Sequence, residues 1–376
     1  MKRSLFNIGV IASASEAIFL LFFLFLPPQL ARAEIYIPQG ATPEIIQDAI
    51  TGRDLVLNRK YAEAEAYFHN LENKYPKSPL GLFGQMAILQ SKMFENFDFR
   101  LDTSLKPITE KIKSINDVIL KDPNASAWDL YLTGASSGVM AFYYIRADQL
   151  FKALSLAGDT KQALQMSVQK DPNFFDPWFG LGMYEFWRSV YTQKFKFLPF
   201  FKDQRQEGIR KMNLAIEKGG VGKPLAMAGI IFVYWEYHNY AKGLSIAQTL
   251  EQSYPGSAVA QILKGNMLTG LAKFQEALQV FTAMETKYPD IYLTRYFIGY
   301  CQLKLKRSQE ARKSLEMFLQ HKPAPAWEAY ALYNLGHLDL SEGKTKAAFE
   351  KFKQGSRVYP DFKGNLQQVQ KMRAKK

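Results

Sequence analysis

Residues 258–291 read AVAQILKGNMLTGLAKFQEALQVFTAMETKYPDI, and residues 292–325 read YLTRYFIGYCQLKLKRSQEARKSLEMFLQHKPAP. Laid one over the other, these stretches pair Gly265 with Gly299, Ala277 with Ala311, Phe281 with Leu315 and Pro289 with Pro323, a period of 34 residues. A fixed period in this range marks stacked units, none of which can bury its apolar face alone. Each unit reads as two antiparallel helices. The Gly at position 8 and the Ala at position 20 lie where the two helices press together, and the large side chain at position 24 fills the gap toward the next unit. Pro at position 32 stops the second helix, because it lacks an amide donor and its ring clashes with the preceding turn.

The same four positions recur in Gly336, Ala348, Phe352 and Pro360, after three extra residues around Pro325, and far upstream in Gly52, Ala64, Phe68 and Pro76. Clean repeats are therefore expected at 45–78, 258–291, 292–325 and 329–362, with a divergent stretch at 79–257. Residues 224–257 keep the length but carry Ile231 and Gly243 at positions 8 and 20. Trp178, Leu181 and Gly182 open a repeat at 175 whose second helix, with Gly208, Met212 and Ala215, arrives late. The insert 188–203 separates the two and alternates Lys194, Lys196 and Lys202 with Phe195, Phe197, Phe200 and Phe201. Residues 79–122 form a pair with a linker rich in Phe94, Phe97 and Phe99, and 125–174 form another. The expectation is an all-α solenoid of about eight helical pairs, with a polar capping helix at 363–376.

From Ile45 to Pro360 the chain resembles the tetratricopeptide repeat (TPR) superfamily, on this four-point template and on Trp178-x-x-Leu181-Gly182. Its middle, from Trp178 to Gly219 and Gly220, is also similar to a group of uncharacterised bacterial TPR proteins and, more faintly, to the eukaryotic inclusion-clearance family of TPR proteins, which implies no activity. The superfamily implies a right-handed α–α superhelix whose concave face, lined by the first helices, engages a partner segment. Positions 2, 5, 9 and 12 of a TPR first helix point into that groove. Here they give Phe179 and Met183 with Phe186, then Phe232 and Trp235, then Tyr296, Tyr300 and Leu303, then Tyr330, Tyr333, His337 and Leu340. Such rings offer large contact area at low entropic cost, which suits peptide recognition. The alternative is that they pack against neighbouring helices. A TPR clamp for a C-terminal carboxylate carries Lys at position 5 and Asn at position 9. Asn266 is in place, but Ile262, Tyr296 and Tyr300 occupy the other clamp positions, so that mode is not assembled.

Composition points to a folded, non-catalytic chain. Hydrophobic residues make up 47% and charged residues 22%, enough for a core and ordinary for a globular protein. The formal charge of +13 is scattered, with its densest run at Lys371, Arg373, Lys375 and Lys376, and reads as solvated surface and not a nucleic-acid site. The lone Cys301 excludes an internal disulfide and a Cys-based metal site, and reads as a small hydrophobe. His69, His238, His321 and His337 lack metal-ligand spacing, and neither a Gly-x-Ser-x-Gly elbow nor a Walker loop occurs. Gly219, Gly220 and Gly222 follow a helix end and read as a stop and turn, not a phosphate cradle. Asp339 and Glu342 carry no acid/base signature. The expectation is a protein- or peptide-binding scaffold with no cofactor and no metal, not an enzyme.

The N-terminus reads as a targeting segment. Lys2 and Arg3 precede the apolar run Ala17 to Leu26; Pro27 and Pro28 break it, and Ala31-Arg32-Ala33 supplies a cleavage pattern before Glu34. Residues 1–33 form a signal peptide or, alternatively, an uncleaved anchor drawing on Ile8 to Leu26. Export to the periplasm, or anchoring that faces it, follows from either. Membrane contact is expected through this segment or through 188–203, where Lys and Phe suit a lipid interface. The insert's alternative is to fold back over apolar helix surface.

Overall fold

The computed structural model describes residues 35–100, 104–146, 149–191 and 202–374. The chain divides into two compact units, Met1–Tyr36 and Ile37–Lys376, and the second carries every described helix. The targeting segment and the phenylalanines at 195, 197, 200 and 201 lie outside the described residues.

Among the described residues there are seventeen helices and no strand. They form eight hairpins: α1 (Pro43–Leu57) with α2 (Tyr61–Lys74), α3 (Leu80–Asn96) with α4 (Leu105–Lys121), α5 (Ala127–Arg146) with α6 (Leu150–Lys170), and α7 (Pro177–Tyr191) with α8 (Arg205–Lys218). Then come α9 (Lys223–Glu236) with α10 (Tyr240–Ser253), α11 (Ala258–Gly270) with α12 (Phe274–Lys287), α13 (Leu293–Lys304) with α14 (Ser308–Leu319), and α15 (Pro325–Ser341) with α16 (Thr345–Val358). A last helix, α17 (Lys363–Arg373), closes the array. The architecture is an all-α solenoid of helical hairpins stacked in chain order.

The four-point template is visible as packing. A Cβ added to Gly52 or Gly336 would stand 2.5 or 2.6 Å from the ring of Phe68 or Phe352, and one on Gly265 would run into Phe281. Position 8 is thus glycine because the ring at position 24 of the same hairpin occupies that space. The ring also reaches onward, since Phe281 stacks on Phe297 of the next hairpin at 4.7 Å and 13°. Ala64, Ala277, Ala311 and Ala348 are completely buried at the helix crossing.

Six first helices, those of hairpins one, two and five to eight, end the same way. Arg59, Phe97, His238, Ala272, Lys306 and Gly343 all have positive φ. At Lys306 the amide donates to Leu303 O (3.0 Å) and the next amide, Arg307, donates to Gln302 O (2.9 Å); the other five repeat this pattern. These paired bonds satisfy the last carbonyls of the helix and offset the left-handed cost of about 1–2 kcal/mol at each non-glycine residue.

The second regularity is long-range. Gln39 donates its amide to Asp171 Oδ2 (2.9 Å) and accepts from the Ala127 amide through Oε1 (2.7 Å). Arg53 donates to Val221 O (2.8 Å), and Asn58 lies against Gly256. Arg59 pairs with Asp290 and sits 4.9 Å from the Tyr288 ring centre. Asn96 accepts from the Leu293 amide (3.1 Å), and Arg100 donates to Lys322 O (2.9 Å). As the N-terminal chain advances from 39 to 100, its partners advance from 127 to 322. The loops that join one hairpin to the next therefore wind round the first two hairpins, which serve as the axle. Glu95, 2% exposed, would be costly there as an unpaired charge. Arg59 meets it with two bonds (2.8 and 3.0 Å) and the Tyr61 hydroxyl donates a third (2.8 Å).

Candidate functional site

The groups that could carry chemistry are occupied structurally. Cys301 is fully buried, and burial pushes its thiol up to about 12, so it is protonated and packed. Asp339, 1% exposed, is ion-paired with Arg312 (2.8 Å) and accepts from Lys351 (2.5 Å), and Arg312 also reaches Glu342 (3.0 Å). These charges tie α14, α15 and α16 together. The glycines after α8 do form an anion-binding nest, but the anion is the chain's own. Asp176 accepts from the amides of Gly220 (3.0 Å) and Gly222 (2.8 Å), and burial holds its carboxyl above the ordinary range. His321 stacks on Tyr292 at 5.2 Å, and burial with the neighbouring Arg295 lowers its pKa. His337 is lowered by burial and by Lys371. No group of three or more His, Cys, Asp or Glu among the described residues could hold a metal.

The nominated groove residues fall into two sets. Tyr296 is 8% exposed and belongs to the core: Trp327 meets its ring at 5.0 Å and Phe318 at 5.6 Å. The reason lies in the three extra residues, since Pro325 starts α15 early and its first turn delivers Trp327 over Tyr296. Phe179 fills the space beside Gly229, and Met183 packs with it on the α8–α9 core. Phe232 is half-buried, its ring 5.4 Å from Phe94. Trp235 stands at the end of α9, 42% exposed, edge-on to Tyr240 at 5.1 Å. Tyr300, Tyr330, Tyr333 and His337 are half-buried. Tyr300 stacks on Tyr296 at 6.4 Å, Tyr330 and Tyr333 lean on Phe362 at 4.7 and 5.2 Å, and His337 meets Tyr333 at 4.5 Å.

What sequence reasoning missed is a segment already seated on the later hairpins. The end of α3 and the non-helical residues after it, Phe94 to Arg100, lie across hairpins five to eight. Phe94 meets Phe232, and Phe97 meets Trp327 at 5.8 Å. Asn96 brackets the start of α13, donating to Asp290 O (3.3 Å) and accepting from Leu293 N (3.1 Å). Asp98 accepts from the Tyr292 hydroxyl (3.2 Å). Aromatic rings and backbone-directed polar groups here hold one part of the chain on another. The Phe-rich linker was the available signal, but it named no seat.

No protein-family model matches the chain, and no curated protein matches it. Solved structures similar to it include a tetratricopeptide repeat protein from Parabacteroides merdae, 11% identical, with a TM-score of 0.46 over 77% of this chain and 98% of that one. The Cut9–Hcn1 hetero-tetramer of the APC/C is 13% identical, with a TM-score of 0.46 over 83% of this chain and 58% of that one. PilF of Pseudomonas aeruginosa is 14% identical, with a TM-score of 0.45 over 65% of this chain and 97% of that one.

Proposed function

We propose that this TPR solenoid is an exported scaffold that binds a protein or peptide segment on the face formed by its first helices, and works at the periplasmic side of the cell envelope. It acts by binding and not by catalysis. The observation that carries this is the seating of Phe94 to Arg100, because it is a working example of segment recognition by this array. A ring enters beside Trp327, an amide side chain reads the backbone at Asp290 and Leu293, and a carboxylate meets the Tyr292 hydroxyl. The partner continues from that seat over Tyr300, Tyr330, Tyr333 and His337, whose rings keep part of their surface in water. Tyr296 supports this surface from beneath and does not touch the partner. Aromatic anchors of this kind dominate binding energy where they are desolvated.

The test is affinity capture from envelope extract with the full chain and with Tyr300→Ala/Tyr333→Ala. A partner kept by the wild type and lost by a variant with an unchanged melt supports the groove. A partner held equally by both contradicts it.

A further inference from the structure

We propose that a row of rings along the turn edge of hairpins five to seven binds a proline-rich segment in the polyproline II form. The turn edge is where each first helix passes to its own second helix. The proposal rests on the reading of the array as a segment binder and names the class of segment. Trp235, 42% exposed near the end of α9, meets the ring of Tyr240, the first residue of α10, at 5.1 Å. Tyr240 lies against Gly270 at the end of α11, where an added Cβ would stand 2.5 Å from its ring. Phe274, the first residue of α12, holds in hairpin six the place that Tyr240 holds in hairpin five. Its ring lies 6.3 Å from that of Tyr300 on α13, and Lys304 stands 5.2 Å over Tyr300. Each ring at the start of a second helix thus leans on the first helix of the next hairpin. Tyr240, Phe274 and Tyr300 are half-buried, and the three hairpins lie wholly within the described residues 202–374. Hairpins seven and eight begin their second helices with Ser308 and Thr345, so the solenoid does not require a ring at that place.

The row continues an interface that the chain already makes, since Phe94 is seated on Phe232, one helical turn before Trp235 on α9. Its spacing selects the occupant. Packed helices lie about 8–10 Å apart, so the row offers a ring once per hairpin at about that interval. A polyproline II helix has three residues per turn and presents the same face about every 9.3 Å, in step with the hairpins. A β-strand repeats its face about every 6.4–6.8 Å and falls out of step within one hairpin. An α-helix, about 10–12 Å across, needs a wider trough than one row of rings. The chemistry agrees. Proline rings pack on aromatic faces, and the preformed polyproline II helix loses little entropy on docking. Proline has no N–H, so such a segment needs donors from its seat and no acceptors. The row supplies the Trp235 indole N–H, the Tyr300 hydroxyl and the Lys304 ammonium, and among the described residues no carboxylate pairs with Lys304. The Tyr240 hydroxyl, 2.6 Å from His238 Nδ1, holds its ring in place.

The test titrates the full chain into decaproline labelled at one end with fluorescein and reads anisotropy, beside an equally labelled Gly/Ser decamer. The expected result is saturable binding of decaproline and none of the Gly/Ser peptide. Trp235→Ala should weaken the binding about tenfold with an unchanged melt, while Trp235→Phe, which keeps a ring against Tyr240, should lose less than about threefold. Absence of saturable decaproline binding overturns the proposal, as does equal binding of both peptides or unchanged affinity in Trp235→Ala. The result is separable from the envelope capture. A captured partner that Tyr300→Ala/Tyr333→Ala loses, with no binding of decaproline, keeps the segment-binding reading and overturns the proline assignment. Decaproline binding with no envelope partner supports the row and counts against the envelope role.

Discussion

On the loop edge, where each second helix hands over to the next hairpin, the available groups are taken up within the chain: Gly220 and Gly222 by Asp176, Asp290 by Arg59, Leu293 by Asn96, the Lys322 carbonyl by Arg100. On the turn edge, Phe151, Leu154, Trp235 and Tyr237 remain in water. The two edges are built from the same repeats, so repeat chemistry does not set the difference. It comes from the first two hairpins, whose residues 39–100 take up the loop-edge groups and leave these four side chains exposed. The comparison separates residues that hold the array in its wound form from residues that face outward, and the two classes should respond differently to substitution.

The largest effect is expected at the axle. Arg59→Ala strands the buried Glu95 carboxylate and breaks the link to Asp290, and should cost about 3–5 kcal/mol in urea unfolding. Lys60→Ala, next in sequence but paired with Glu63 across open solvent (3.2 Å), should change stability by less than about 1 kcal/mol. Equal effects at the two positions would break the contrast. Asn96→Ala removes two hydrogen bonds to the start of α13 and should cost about 1–3 kcal/mol by the same assay.

A smaller effect is expected from pH. The Arg100 guanidinium, with the Tyr292 hydroxyl, holds the Asp98 carboxyl below its ordinary value. The folded state therefore favours the charged form. Its stabilisation is complete above the unfolded carboxylate value of about 3.9 and is lost as pH falls through that value and the lower folded one. Asp98→Asn should melt below the wild type at neutral pH, and the gap should narrow near pH 3. A gap independent of pH would assign the loss to packing. The smallest effect belongs to the turn edge, where Phe151→Ser/Leu154→Ser should shift stability by no more than about 0.5 kcal/mol. A loss several times larger would mean that these side chains are packed and not presented.

Legibility in the sequence followed the distance between partners. Gly52, Ala64 and Phe68 could be read because they meet inside one hairpin, and the period repeats them. Tyr296 was nominated for the groove because the template is blind to the extra turn that brings Trp327 over it. The nest at Gly220 and Gly222 was read as a turn, correctly as far as it went; the acid that fills it is 44 residues away. Asn96 and Leu293 are 197 residues apart, and no local pattern announces that pair. The linker carrying Phe94, Phe97 and Phe99 stood out by composition, yet a run of rings does not name the surface it will cover. Tyr300, Tyr330, Tyr333 and His337 were legible as a stripe on the first helices, but not the lean of Tyr330 and Tyr333 on Phe362 that half-buries them.

The winding of the later hairpins round the first two is most directly tested by residue-resolved hydrogen exchange at the Leu293 amide. As the first residue of α13 it has no partner within its own helix, and in an unwound array it would exchange as fast as an open turn. Donation to Asn96 Oδ1 should slow it well below such a turn in the wild type, and Asn96→Ala should release it while Ala272 and its turn are unchanged. Fast exchange at Leu293 in both proteins would contradict the wound structure.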